Sequence, residues 1–173
     1  MESPSTPIGN INLIYHENKT AFLCSRSLPY EFRPALVNWL NRLDARKDCV
    51  MCGNLQKIEN EVLQGLIEMG IPTIVVLDRP YPESWPTYMM QGVGDQKLLI
   101  ITLVDFTVPW IDKYGMAEMR NKYMIANAKR IVLGFCRPGG IIESQLQGID
   151  KEVIRLNKYN PLNDPRNVQK NCI

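Results

Sequence analysis

The sequence contains no long hydrophobic run and no leader-like beginning. Its first ten residues, MESPSTPIGN, include neither a basic stretch nor an apolar stretch, so no secretory signal is predicted. Its apolar runs are far shorter than the roughly 20 residues that a membrane-spanning helix requires. We therefore expect a cytoplasmic protein that has no membrane partner.

Histidine and paired cysteines are also scarce. The 173 residues include one histidine, His16, and five cysteines, an odd number that argues against a disulfide framework when no leader is present. Cys49 and Cys52 form one C-x-x-C pair, but a structural zinc site usually needs a second pair of ligands. A Ser/His/Asp arrangement is unavailable because His16 lies in a polar N-terminal segment. We expect no metal and no cofactor, and we expect reduced, mostly buried cysteines.

Two common nucleotide-binding signatures are missing as well. No G-x-G-x-x-G follows the first apolar run, which disfavours a dinucleotide oxidoreductase, and the absence of a Walker A motif excludes an ordinary P-loop ATPase. The net charge of +2 does not indicate a protein that wraps nucleic acid, although it is compatible with a local basic patch. The content of 45% hydrophobic and 22% charged residues instead indicates one globular domain.

What the sequence does contain is a regular alternation of short apolar runs with helical periodicity. The apolar runs are residues 20–24, 49–52, 73–77, 98–104 and 131–135, with residues 152–156 as a candidate edge strand. Between them apolar residues recur at helical spacing. The alternation predicts an α/β protein with a three-layer Rossmann-like fold, in which a five- or six-stranded, mainly parallel sheet has helices on both faces. The expected domain is 18–158, with an N-terminal extension at 1–17 and an irregular tail at 159–173.

Glycines or arginines follow three of these strands, at the edge where such sheets bind ligands. Gly53-Asn54 and Gly139-Gly140 each lie between a strand and a helix, where glycine either allows a phosphate to approach backbone N–H groups or simply makes a tight turn. Arg26 follows the first strand and Arg137 follows the fifth. Both are placed either to pair with a phosphate or to be solvated.

Other features of the chain leave two interpretations open. Residues 112–130 carry five basic and two acidic residues, which is typical of a nucleic-acid-binding stripe or of a solvated helix face. Trp85, Tyr88 and Trp110 are candidates for stacking on bases, although core packing is the commoner use of such residues. Glu143 is the acid to consider as a general base, or else as a favourable charge at a helix N-terminus.

Four segments occur in a characteristic order. They are Cys24-Ser25-Arg26, Met51-Cys52-Gly53, residues 73–77 running into Tyr81-Pro82, and Arg120-Asn121-Lys122-Tyr123-Met124-Ile125-Ala126. In this order they resemble the DNA-processing protein A (DprA/Smf) family, which has Gly-Ser-Arg, a glycine-rich turn, a Tyr-Pro loop and an Arg-Asn-Arg-x-Ile-Ala helix at these places. The resemblance covers roughly residues 18–158 and extends to the wider superfamily shared with the LOG (lysine-decarboxylase-like) proteins.

The resemblance implies a non-enzymatic domain that binds single-stranded DNA or a nucleotide at the carboxyl edge of the sheet, and it implies a homodimer. The predicted binding residues are Ser25, Arg26, Gly53, Asn54, Arg120, Asn121, Arg137, Gly139 and Gly140. The enzymatic alternative is a LOG-type nucleotide phosphoribohydrolase that uses Arg120 and Glu143, although the Gly-Thr of the LOG motif is missing after Gly140. The third alternative is a scaffold that has lost its ligand and binds other proteins.

Overall fold

The computed structural model describes residues 5–104 and 113–156, which form one sheet surrounded by helices. The strands are β1 (Ile8–Gly9), β2 (Lys19–Leu23), β3 (Cys49–Cys52), β4 (Thr73–Leu77), β5 (Leu98–Thr102), β6 (Arg130–Leu133) and β7 (Glu152–Arg155). The α-helices are α1 (Arg33–Asn41), α2 (Lys57–Glu68), α3 (Thr87–Gly94), α4 (Lys113–Asn127) and α5 (Ile141–Leu146). Two short 3-10 helices, Ile11–Tyr15 and Tyr30–Phe32, complete the described elements.

The sheet confirms the predicted Rossmann-like class. Its seven described strands are ordered β1-β5-β4-β3-β2-β6-β7, and every pairing from β5 to β7 is parallel. The described sheet has one strand more than the six at most that were predicted, because Ile8–Gly9 adds a strand antiparallel to β5. Two residues are too few to show any periodicity, so this strand has no sequence signal.

The central strands are apolar throughout because both of their faces are covered. All five residues of β4 are buried, and so are all four of β3. On one face the strands pack against α1, α2 and α3, with Trp39, Leu63 and Met89 in the core. On the other face α4, α5 and the first 3-10 helix supply Met124, Leu146 and Leu13.

The strand order reverses at β2, and this positions the functional site. From β2 the chain proceeds through β3, β4 and β5 on one side, and it then returns to place β6 and β7 on the other side. The loops after β2 and β6 therefore diverge from the carboxyl ends of neighbouring strands. The crevice at such a switch point is the usual ligand site of an open parallel sheet.

Further predictions concern membrane-spanning helices, the C-terminal tail and the domain boundaries. Within the described residues, no helix is long and apolar enough to cross a membrane. The predicted tail at 159–173 and Trp110 lie outside the described residues, and the domain boundaries stay predictions.

Candidate functional site

A cavity of about 640 Å³ opens at the switch point between β2 and β6. Its walls come from the loops that follow these two strands, from the start of α2, from α4 and from the start of α5. The described residues that line it are Cys24, Ser25, Arg26, Ser27, Leu55, Gln56, Ala117, Arg120, Asn121, Phe135, Arg137, Gly140, Ile141 and Ile142. Six of the nine predicted binding residues are among them, while Gly53, Asn54 and Gly139 are not.

Ser25 joins the two loops that carry the exposed arginines. Its backbone N–H donates to the Phe135 carbonyl at 2.8 Å, and its Oγ accepts from the Arg137 backbone N–H at 2.9 Å. Arg26 and Arg137 are both exposed and both line the cavity. The two loops are thereby held together, with one guanidinium supplied by each.

Arg120 differs from these two arginines because it is buried and paired with carboxylates. It is 6% exposed, its Nη2 lies 3.0 Å from Glu59 Oε1, and its Nη1 lies 3.3 Å from Asp78 Oδ2. The guanidinium thus connects α4 to α2 and to the end of β4. Because two buried carboxylates already surround its one positive charge, Arg120 is better suited to holding the floor of the cavity than to attracting an anion.

Glu59 organises the start of α2 as well as Arg120. Its Oε2 accepts backbone hydrogen bonds from Leu55 at 2.9 Å and from Gln56 at 3.0 Å, which forms a capping box at the helix N-terminus. Because these donors are satisfied within the chain, they are not offered to a ligand. The same carboxylate therefore fixes the cavity wall at Leu55 and Gln56 and the cavity floor at Arg120.

Gly53 is required by the side chains packed against it. A β-carbon on this residue would lie 2.6 Å from Arg120 Nη1 and 2.8 Å from Glu59 Oε1, closer than real contacts allow. Asn54, the next residue, accepts a hydrogen bond at Oδ1 from Arg79 Nη2 at 3.0 Å. The Gly53-Asn54 turn thus contacts the chain's own charged groups. This packing explains the glycine at position 53 without a bound phosphate.

Asn121 connects α4 to α5. It is buried, its Oδ1 accepts from Arg120 Nη2 at 3.3 Å, and its Nδ2 donates to Gln145 Oε1 at 3.2 Å. Gln145 in turn donates to the Glu118 carbonyl at 2.9 Å. The Arg120-Asn121 pair therefore braces three helices and presents one side to the cavity.

The turn before α5 is closed by its own glutamate. Gly139 has a φ of 70°, and its N–H donates to Glu143 Oε2 at 2.6 Å. Gly140 lines the cavity, whereas Glu143 is exposed and is not among the described lining residues. Both glycines thus build the turn that leads into the cavity wall.

Among the described side chains, the predicted basic stripe does not form one continuous face. Arg120 points inward, Lys122 pairs with Glu118 at 2.8 Å on the helix surface, and Arg130 lies 3.6 Å from Glu152 at the opposite end of the sheet. Among the aromatic candidates, Trp85 packs edge-on against Tyr81 with ring centroids 5.8 Å apart. The solvated and core-packing alternatives therefore fit these residues better.

The described cysteines lie mainly in the core. Cys24, Cys49 and Cys52 are buried, and Cys136 is partly buried. Burial raises the pKa of Cys24 and of Cys49 to about 12, and it raises the pKa of Cys52 further. In the described part of the chain, no three His, Cys, Asp or Glu side chains come together as a metal site would require.

Sequence reasoning missed the apolar lining and the acidic floor. Leu55, Phe135 and Ile141 face the cavity, and none belongs to a motif that could have indicated it. Glu59 and Asp78 carry a weak signal, because each comes shortly after a predicted strand. Their pairing with Arg120 joins positions up to 61 residues apart and has no local pattern.

The fold is similar to that of DNA-processing protein A (DprA). A structure of the Helicobacter pylori DprA, from a study of its single-stranded DNA binding mode, aligns at a TM-score of 0.60 and 17% identity over 83% of this chain. An X-ray structure of DprA from Streptococcus pneumoniae aligns at a TM-score of 0.64 and 13% identity over 86% of this chain. The resemblance seen in the sequence is thus confirmed as a DprA-like fold.

The likeness stops at the fold. This chain spans 66% of the Helicobacter pylori chain and 53% of the Streptococcus pneumoniae chain. No family model and no curated protein matches the sequence. The homodimer and the hydrolase alternative both stay predictions.

Proposed function

We propose that this chain is a DprA-like, non-enzymatic domain that binds single-stranded DNA at the cavity between β2 and β6. The observation that carries the proposal is the pair of exposed arginines, Arg26 and Arg137, which approach one cavity from neighbouring strand ends. Guanidinium groups bind phosphate oxygens with two parallel hydrogen bonds. The DprA-like fold supports DNA as the source of the phosphates, since a Helicobacter pylori protein of this fold binds single-stranded DNA.

The size and lining of the cavity suit one nucleotide and its neighbours. Small-molecule sites commonly enclose about 300–1,000 Å³, and this cavity has about 640 Å³. Leu55 and Ile141 are 45% and 38% exposed and provide an apolar wall. We assign phosphate contacts to Arg26 and Arg137, the joining of their loops to Ser25, and the shape of the floor to Arg120 and Asn121.

The test is fluorescence anisotropy with a labelled oligothymidylate, measured over a range of salt concentrations. Each lost phosphate contact should lower the slope of log affinity against log salt by about 0.7, which is about fivefold in affinity at 0.1 M salt. Arg26→Ala and Arg137→Ala should each show this loss. Arg46→Ala is the matched control, because Arg46 is 92% exposed and precedes β3 at the other edge of the sheet.

Two outcomes decide the proposal. A reduced salt slope in both cavity variants, with the Arg46→Ala slope unchanged, supports it. Equal binding by the wild type, the two cavity variants and Arg46→Ala would reject the cavity as the DNA site and favour the scaffold alternative.

A further inference from the structure

Basic side chains follow five neighbouring strands at the carboxyl edge of the sheet. From one side of the sheet to the other, the strands are β7, β6, β2, β3 and β4. The basic residues at or shortly after their carboxyl ends are, in the same order, Arg155, Arg137, Arg26, Lys57 and Arg79, where Arg155 ends β7 itself and Lys57 is the first residue of α2. Two of these residues line the cavity, and the other three continue the array beyond it on both sides.

Two of the three outer residues are exposed, and the third, Arg79, is partly exposed. Arg155 is exposed at the end of β7, where its side chain lies beside Cys136 in the loop after β6. The Lys57 side chain is 89% exposed and lies 4.0 Å from Glu61, a surface pair of little strength. The Arg79 side chain is 36% exposed and reaches the β3 loop through its hydrogen bond to Asn54.

The opposite edge is also basic, and several of its cations are engaged by the chain itself. Lys19 donates to the Ile14 carbonyl, and Lys151 donates to three carbonyls at the end of α4. Arg130 is shared between Glu152 and Asn18. Lys129 and Arg46 are also exposed at this edge, but neither lines the cavity, whereas the carboxyl-edge cations continue from it on both sides.

The spacing of the array suits a linear phosphate chain. Adjacent strands lie about 4.8 Å apart, so five strands span about 19 Å between the first and the last. At the 3.4 Å per nucleotide of a stacked strand, this distance corresponds to at most about six phosphates, and to fewer in an extended strand.

We propose that Arg155, Lys57 and Arg79 extend the cavity into a track, along which single-stranded DNA crosses the sheet from β7 to β4. The inference rests on the proposed function, because Arg26 and Arg137 are the centre of the track. It adds a footprint of at most about six nucleotides and a direction across the strands. A row of positive side chains along one edge is complementary in charge to the phosphates of a nucleic-acid backbone.

The experiment compares the affinity for a mononucleotide with the affinity for an oligonucleotide. Arg155→Ala and Lys57→Ala should each lower the affinity for an oligothymidylate of about 12 nucleotides about fivefold at 0.1 M salt. Each should also lower the salt slope by about 0.7. Neither change should alter the affinity for thymidine 5′-monophosphate, which fits within the cavity. Lys129→Ala is the matched control, because it removes one exposed charge at the amino end of β6.

Arg79→Gln tests the β4 end of the track and needs a check of folding, since Arg79 lies beside the buried Asp78. The same loss of slope in a folded Arg79→Gln protein supports the track. If this variant is unfolded, Arg155→Ala and Lys57→Ala decide the matter by themselves. Affinity for oligothymidylates should also stop rising beyond about six nucleotides.

The outcomes separate the track from the function on which it rests. Loss of binding in Arg26→Ala and Arg137→Ala, with full binding in Arg155→Ala and Lys57→Ala, overturns the track and leaves the proposed function in place. Full binding in all four variants overturns both. Two further results also overturn the track as a DNA-backbone site. One is that Arg155→Ala lowers the affinity for thymidine 5′-monophosphate as much as that for the oligothymidylate. The other is that the wild type binds a poly-glutamate chain as tightly as the oligothymidylate.

Discussion

Replacing Arg120 with methionine should destabilise the protein strongly while leaving the salt dependence of DNA binding unchanged. Methionine keeps an unbranched side chain of moderate volume, so the substitution removes mainly the charge. Glu59 and Asp78 would then lose the cation that lies 3.0 Å and 3.3 Å from their carboxylate oxygens. Both carboxylates are more than nine-tenths buried, so water does not readily replace the guanidinium.

The expected loss follows from this burial. Removing one partner of a buried ion pair costs about 3–5 kcal/mol, because an uncompensated charge is left behind. For a chain of this size each kcal/mol lowers the melting temperature by about 2–4 °C, so the melting temperature should fall by about 6–20 °C. The salt slope should stay constant because the positive charge of Arg120 is already balanced within the protein.

The assay is urea unfolding followed by circular dichroism, with Lys122→Met as the control on the same helix. Lys122 pairs with Glu118 at 2.8 Å, but both side chains are largely exposed, and the loss should be below about 0.5 kcal/mol. A double-mutant cycle with Glu59→Gln should give a coupling energy above about 1 kcal/mol, since paired residues in one network are not additive.

The reasoning about the floor of the cavity would be refuted by a stable Arg120→Met protein. A loss below about 1 kcal/mol, together with additivity in the Glu59→Gln cycle, would mean that the ion pairs contribute little. A salt slope lowered by about 0.7 in a folded Arg120→Met protein would instead make Arg120 a phosphate ligand, as the sequence predicts.

Three more predictions concern glycine and cysteine. Gly53→Ala should cost about 1–3 kcal/mol in urea unfolding, because its β-carbon would meet Arg120 at 2.6 Å, whereas Gly65→Ala inside α2, whose nearest neighbour would be 3.9 Å away, should stabilise by about 0.5–1 kcal/mol; equal effects would contradict this. A thiol reagent at neutral pH should label Cys136 before Cys24 in the native protein, as peptide mapping would reveal, and the reverse order would be inconsistent with the burial. Because folding raises the pKa of Cys24 from 9.0 to about 12, its contribution to stability is complete below pH 9 and is lost as the pH rises towards 12, so Cys24→Ala should flatten the fall of unfolding free energy above pH 9 by up to about 1.4 kcal/mol per pH unit.

Much of the fold is predictable from local patterns. Five apolar runs coincide with β2 to β6, because strands covered on both faces must be apolar along their whole length. β7 is predictable as an edge strand for a related reason, since only part of it is covered. β1 is not predictable, because its two residues are held by pairing with β5 and by the Asn10 hydrogen bond to Gln96 rather than by a pattern of their own.

Less of the site could be predicted, and Arg120 illustrates the reason. The Arg-Asn segment is correctly predicted to lie in a helix, and Arg120 and Asn121 line the cavity at the carboxyl edge. Whether an arginine there points to solvent or inward depends on what the neighbouring elements place beside it. Glu59 and Asp78 come from other parts of the chain, and no spacing in the sequence shows that they meet at one guanidinium.

The sequence by itself determined the parallel α/β class, the edge at which loops gather, and the positions of Arg26 after the first predicted strand and of Arg137 after the fifth. These features depend on periodicity and on the succession of elements along the chain, which are properties of short segments, whereas the pairing of β2 with β6 is a property of the folded sheet. Only the tertiary structure decided that Arg120 is neutralised in the floor while Arg26 and Arg137 stay exposed. The charge available to a ligand depends on which distant carboxylates are desolvated beside each arginine, and that is settled only when the helices pack onto the sheet.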